Sequence, residues 1–116
     1  MENKARIVFS CNTKTKHIID EFRIEIRKLY GKKLKTFLLY GSWARGEAVK
    51  DSDIDIAVVL EGRINPGKEI DRMIDIITEI NLKYETLLSV YPVSKADYIN
   101  LKSPLLINIR REGIAV

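Results

Sequence analysis

An apolar run that ends abruptly on a small-residue turn, then resumes after a polar gap, constrains this chain more than any other feature. Leu34-Lys-Thr-Phe-Leu-Leu-Tyr40 reads as a strand, apolar enough at its end to be buried on both faces. Gly41 breaks it. Ser42 is placed to cap a short helix holding Trp43, Ala44 and Arg45, and Gly46 ends that turn. Residues 47–52 are polar and read as an exposed loop. Ile54-Asp-Ile-Ala-Val-Val-Leu60 is rich in β-branched residues and reads as a second strand, entered through Ser52-Asp53-Ile54-Asp55.

The flanking segments supply helices. Ile18, Ile19, Phe22, Ile26, Leu29 and Tyr30 recur at helical spacing and predict an amphipathic helix over residues 15–30, with Thr13 or Thr15 as cap and Gly31 as stop. Ahead of it, residues 5–10 fit either a short strand or an arm. Residues 62–67, containing Asn65-Pro66, read as a connecting loop. Ile70, Met73, Ile74, Ile77 and Ile80 form a helical stripe over residues 67–83, and residues 86–93 read as a third strand bounded by Pro92. Ser94 caps a short helix with Tyr98 and Leu101. Ser103 caps another, with Pro104 at its first position, Leu105, Leu106 and Ile109 toward the core, and Gly113 as stop. No repeat or linker interrupts the chain, so residues 1–116 read as one domain. Three strands alternating with helices predict a small α/β (α+β) fold with helices packed on one face of a short sheet.

Composition narrows the chemistry. At 116 residues, 46% apolar and 31% charged, the chain can bury one core. No apolar run approaches the ~20 residues of a membrane helix. The opening Met1-Glu-Asn-Lys-Ala-Arg has no apolar stretch of signal length behind it, so the expected location is cytoplasmic. A single cysteine, Cys11, and a single histidine, His17, exclude an internal disulfide, a cysteine zinc site and a histidine cluster. The net charge of +4 is mild. Its basic residues, among them Arg23, Arg27, Lys28, Lys32, Lys33, Lys35, Arg110 and Arg111, fit solvated helix faces, and no aromatics are interleaved for base stacking. Uncovered strand edges in so small a sheet leave room for a homodimer.

The chemistry lies between residues 40 and 55. Residues i and i+2 of a strand share a face, so Asp53 and Asp55 point the same way. Side chains converging to ~4 Å would repel by ~4 kcal/mol at an effective dielectric of 20. Either nearby cations or a divalent metal must offset that, and oxygen-only ligands favour Mg²⁺ or Mn²⁺ over zinc. Gly41 and Ser42 leave backbone N–H groups free at a helix start, which suits anions, and Arg45 one turn on can reach the same oxygens. Metal-bound triphosphate fits that pattern, and the reaction class it supports is nucleotidyl transfer.

Gly41-Ser42-x-Ala44-Arg45-Gly46 followed by Ser52-Asp53-x-Asp55 resembles the signature of the minimal nucleotidyltransferases (the MNT group) of the DNA polymerase β superfamily. The resemblance extends to the flanking helices and strands and to Ser-Pro-Leu-Leu-x-x-Ile-Arg-x-Glu-Gly at residues 103–113. It implies a small mixed sheet of the polymerase β-like nucleotidyltransferase fold. It also implies catalytic, Mg²⁺-binding roles for Asp53 and Asp55, and contact of Gly41 and Ser42, with Arg45 and Ser52 beside them, to ATP. It further implies a HEPN-type helical toxin as partner, toward which the protein acts as antitoxin by moving AMP onto a tyrosine. One departure stands out. The superfamily places a third carboxylate on the later strand, where this chain offers Ser89, with Glu85 as the nearest acid.

Two other readings compete. One is a binding module that holds MgATP and neutralises its partner by contact. The other is a nucleic-acid-directed transferase, disfavoured by the mild charge. A small-molecule acceptor such as an aminoglycoside is disfavoured because no segment remains for a substrate domain.

Overall fold

The central fact of the fold is the antiparallel pairing of β1 (Leu34–Tyr40) with β2 (Ile54–Leu60). Their register sets Leu34 opposite Leu60 and Tyr40 opposite Asp55, with one irregularity between Leu34 and Thr36. The computed structural model describes residues 13–49 and 52–116. The expectations for residues 1–12, including Cys11, lie outside the described residues. On the far side of β2, β3 (Leu88–Ser94) runs parallel to it, with Ile54 opposite Leu88 and Asp55 opposite Ser89. A short β4 (Ile114–Ala115), which the sequence reading did not foresee, pairs antiparallel with β1, giving the order β3-β2-β1-β4.

Parallel neighbours need a crossover, and α3 (Pro66–Tyr84) supplies it between β2 and β3. Its start is set by Asn65, whose side chain accepts from the Lys68 N–H at 3.2 Å, with Pro66 in the first turn. Its end is set by Glu85, which takes a left-handed conformation as C-cap. That exit delays the third strand to Leu88, whose N–H is held by Asn81 Oδ1 at 2.9 Å. Pro92 lies inside β3, opposite Val58, and does not bound it. β3 is an edge strand, where a missing N–H is tolerated and also blunts unwanted pairing.

The sheet is covered unequally. On one face α1 (Thr13–Tyr30) and α3 pack Ile18, Ile19, Phe22, Ile26, Met73, Ile77 and Ile80 against Phe37, Leu39, Ile54, Ile56 and Val58. Phe22 and Phe37 meet with ring centroids 5.5 Å apart. α1 begins at Thr13, so Thr15 falls inside its first turn, buried, and is not its cap. On the other face α5 (Pro104–Glu112) contributes Leu106 and Ile109 to a smaller cluster with Leu38, Tyr40, Ala57, Val59 and Val93. The short α4 (Lys95–Asn100), capped by Ser94, adds Tyr98 at its edge. Leu105, expected in the core, is exposed, because only two positions of the α5 stripe reach the sheet. Leu29 and Ile74, expected in the buried stripes of α1 and α3, are also exposed. No described helix is long and apolar enough to cross a membrane.

Phe22→Ala removes a fully buried ring at the centre of the larger cluster. We expect a loss of about 3–5 kcal/mol in urea unfolding, with the slope of the transition unchanged.

Candidate functional site

The β1–β2 register carries the end of the first strand and the start of the second to one end of the sheet. The chain leaves Tyr40 through Gly41, whose φ of 74° and ψ of −153° belong to a region almost restricted to glycine. A Cβ at Gly41 would stand 3.0 Å from Asp55 Cγ and collide with its Oδ2. Glycine is thus required twice, by the backbone and by the carboxylate packed against it. A substitution such as Gly41→Val would disturb the turn and Asp55 together.

The one-turn helix α2 (Ser42–Arg45) follows. Gly41 is its N-cap and no side chain caps it, so Ser42 is the first helical residue and not the cap that the sequence suggested. Gly46, left-handed at φ 74°, ends it. Trp43 and Ala44 are buried in the main core, and Trp43 Nε1 donates to the Ser52 carbonyl at 3.3 Å. The indole therefore anchors the loop that returns to the aspartates. Ser52 Oγ accepts from the Val49 N–H at 2.9 Å and closes the same loop.

All six residues singled out from the sequence line one cleft of about 430 Å³: Gly41, Ser42, Arg45, Ser52, Asp53 and Asp55. Asp53 is exposed and Asp55 half-buried. Tyr40, Leu105, Asn108 and Glu112 complete the wall. A larger hollow of about 700 Å³ lies at the opposite end of β2 and β3, beside Glu61, Arg63, Lys95 and Asp97. There the acids Glu61 and Asp97 are matched by Arg63 and Lys95, whereas the smaller cleft gathers Asp53, Asp55 and Glu112 around Arg45, so the smaller cleft is the candidate site.

Glu112 was not anticipated. Its Oε1 accepts from the Gly41 N–H at 3.0 Å and from an Arg45 guanidinium nitrogen at 3.1 Å, and its Oε2 lies 3.3 Å from the same nitrogen. Two signals were available in the sequence. Leu105, Asn108 and Glu112 share one helical face at i, i+3 and i+7. An acid in the last turn of a helix is also disfavoured by the helix dipole, which points to a partner elsewhere. Arg45 in addition donates Nε to Glu47 at 2.7 Å. These two carboxylates hold its pKa above the ordinary guanidinium value.

Asp55 carries the electrostatic cost of the site. Burial pushes its pKa up, and the charges of Asp53 and Glu112 push the same way, while the Ser89 hydroxyl and Arg45 pull it back. Burial, with Asp55, Tyr91 and Glu112 near it, also raises Tyr40 to about 12, so the phenol stays neutral. Glu85 is exposed at the C-cap of α3 and does not line the cleft, which leaves Ser89 as the β3 residue beside Asp55. No group of three or more His, Cys, Asp or Glu is arranged to hold a metal among the described residues. Two carboxylates remain, which fits Mg²⁺ bound by one or two acids plus substrate phosphates.

Because the Asp55 pKa is raised in the folded state, its stabilising share is present at low pH and is lost as pH rises through that pKa. Asp55→Asn removes the penalty. Without metal or nucleotide we expect the variant to melt higher than the parent at pH 7, with the gap closing on acidification. A thermal melt series between pH 3 and 8, a range spanning ordinary carboxylate titration at about 4, checks this.

Comparisons with known proteins agree with this geometry. The family described as Polymerase beta, Nucleotidyltransferase matches residues 24–116. A protein of Methanocaldococcus jannaschii named "Putative protein adenylyltransferase" is 36% identical over 98 residues, covering 80% of this chain and 65% of its own length. A second of the same name and organism is 29% identical over 99 residues, covering 85% of this chain and 95% of its own. The chain thus spans just under two thirds of the first relative and nearly all of the second. Among solved structures, a crystal structure of a toxin–antitoxin with AMP-PNP aligns at TM-score 0.58 and 17% identity, over 81% of this chain and 68% of that one. A nucleotidyltransferase structure from Sulfolobus solfataricus, so named with the qualifier putative, aligns at TM-score 0.51 and 18% identity, over 99% of this chain and 87% of that one. With the match spanning β1 through β4, the chain belongs to the polymerase beta nucleotidyltransferase family.

Proposed function

We propose that this protein transfers AMP from MgATP to a tyrosine hydroxyl of a HEPN-type helical toxin and so acts as its antitoxin. The observation that carries the reading is the meeting of the Gly41–Arg45 turn with Asp53 and Asp55 in one cleft. Gly41 and Ser42 present backbone and hydroxyl donors to the triphosphate, with Arg45 as the charged donor and Ser52 shaping the loop beside it. Asp53 and Asp55 would hold Mg²⁺, which when bound would offset phosphate charge and support the pyrophosphate leaving group. The acceptor oxygen attacks the α-phosphorus, the bond to the β-phosphate bridging oxygen breaks, and the phenolic proton leaves to water. The names of the relatives support protein as the acceptor class, and the toxin–antitoxin neighbour supports the kind of partner. In this reading residues 1–116 form one nucleotidyltransferase domain working in the cytoplasm.

One observation favours a second reading. Beside Asp55 stands Ser89, a hydroxyl that can neither take up a proton at neutral pH nor hold a metal as a carboxylate does. A protein that binds MgATP and restrains its toxin by contact alone is consistent with that substitution.

Labelled ATP with Mg²⁺, supplied with and without the toxin and followed by intact mass, separates the two. Transfer predicts that one or more AMP units appear on the toxin, and that Asp53→Asn lowers the rate by roughly 100-fold or more while the complex still forms. Nucleotide binding without any mass gain would establish the contact antitoxin. Near-parental turnover by Asp53→Asn would overturn the metal assignment.

A further inference from the structure

Glu112 accepts from two donors of the kind that bind phosphate, the Gly41 N–H and the Arg45 guanidinium. We propose that its carboxylate is an internal competitor for the nucleotide: it holds the Gly41 N–H and the Arg45 guanidinium, and a phosphate group binds by taking those donors from it. The inference rests on the nucleotide reading above and adds to it the residue that sets access.

The donor set is the argument. A backbone N–H at the start of a helix and a guanidinium are the groups that recognise phosphate oxygens, and here both converge on one carboxylate at 3.0 and 3.1 Å. The Glu112 side chain is only 20% exposed, against 44% for Arg45, so the ion pair is partly shielded from solvent. Its own helix offers it nothing favourable, since it lies at the carbonyl end of α5. Its charge is held by the turn. Asp55, packed against Gly41, already feels Glu112 as a repulsive neighbour. A triphosphate entering the cleft would add more negative charge to Asp53, Asp55 and Glu112, with Arg45 as the cation in its lining.

Exchange needs little movement. Gly113 follows directly, its N–H bonded to the Ile109 carbonyl at 2.8 Å, and Ile114 pairs with Leu39. Backbone on both sides of Glu112 is thereby held, and rotation of the side chain alone frees the donors. Glu112 is engaged by the Gly41 N–H and the Arg45 guanidinium, which sets its role apart from the metal-holding one proposed for Asp53 and Asp55.

The test is titration of full-length parent, Glu112→Gln and Glu112→Ala with MgATP, and separately with magnesium tripolyphosphate and with adenosine. The single tryptophan, Trp43, lies inside the turn and serves as a fluorescence reporter, with calorimetry as the second readout. We expect Glu112→Gln to bind MgATP and tripolyphosphate roughly 3- to 10-fold tighter than the parent, with adenosine unchanged. Glu112→Ala is expected to bind at least as tightly as Glu112→Gln. If the alanine variant is poorly folded, the near-isosteric glutamine variant carries the test. Parent binding with no gain, or a loss, in Glu112→Gln overturns the competitor and makes Glu112 a clamp that shapes the turn. Absence of binding in all three proteins overturns the nucleotide reading together with it. Binding by the variants alone supports the competitor in its strongest form.

Discussion

Everything at the candidate site follows from one strand pairing. Antiparallel neighbours place the last residue of one strand opposite the first of the next, and here that brings Tyr40 opposite Asp55. The connecting segment therefore begins and ends at the same edge of the molecule, and the glycine turn meets the aspartates without a long-range fold to arrange it. Trp43 secures the arrangement by filling the core beneath the turn and bonding the returning loop at Ser52. A slip of one residue in this register would send Asp55 to the opposite face and a core isoleucine into the cleft.

That edge is expensive to maintain. Asp53, Asp55 and Glu112 converge there, Gly41 adopts a conformation closed to other residues, and Asp55 is less acidic than usual because it is half-buried among like charges. The stability that offsets this lies elsewhere. β2 is the most buried strand, with Ile54, Ile56, Ala57, Val58, Val59 and Leu60 all essentially inaccessible. Its one half-exposed residue, Asp55, lies at the end that faces the cleft. Strain and charge at the rim are thus carried on the most buried strand of the sheet.

The sequence was legible where periodicity and turn chemistry act locally. β1 and β2 appear at the expected residues because their apolar runs stop sharply, at Gly41 and after Leu60. The Ser94 and Ser103 caps appear because serine followed by a short apolar stripe has few other uses. Failures came from tertiary contacts. β4 is two residues long and exists only because β1 offers an edge for it. Ser42 was mistaken for a cap because Gly41, one residue earlier, takes that place with a backbone angle that composition does not reveal. Leu105 was assigned to the core from its place in an apolar stripe, yet the cover of the second face is narrow enough that it lines the cleft. Glu112 lies 71 residues from Gly41 in sequence, and such pairing leaves only indirect traces: a helical face shared with Leu105 and Asn108, and an acid at the unfavourable end of a helix.

Ser89 bears on how the metal is held. Three carboxylates around a divalent ion form a site that can fill before substrate arrives, whereas two leave most of the coordination sphere to water and phosphate oxygens. With Ser89 as the β3 neighbour of Asp55 and Glu112 engaged by Arg45 and Gly41, the carboxylates free for the ion are Asp53 and Asp55. In the proposed function metal and nucleotide would depend on each other: a bound ion would relieve the Asp53–Asp55 repulsion, and phosphates would fill the coordination positions that two carboxylates leave open. On the competitor proposal Glu112 would work against both until a phosphate displaced it, because its charge raises the cost of ionised Asp55 and its oxygens hold the Gly41 N–H and the Arg45 guanidinium. The third acid of this cleft thus comes from the C-terminal helix and faces the Gly41–Arg45 turn, so a negative charge that would aid catalysis beside a metal would, from this position, oppose the entry of a phosphate.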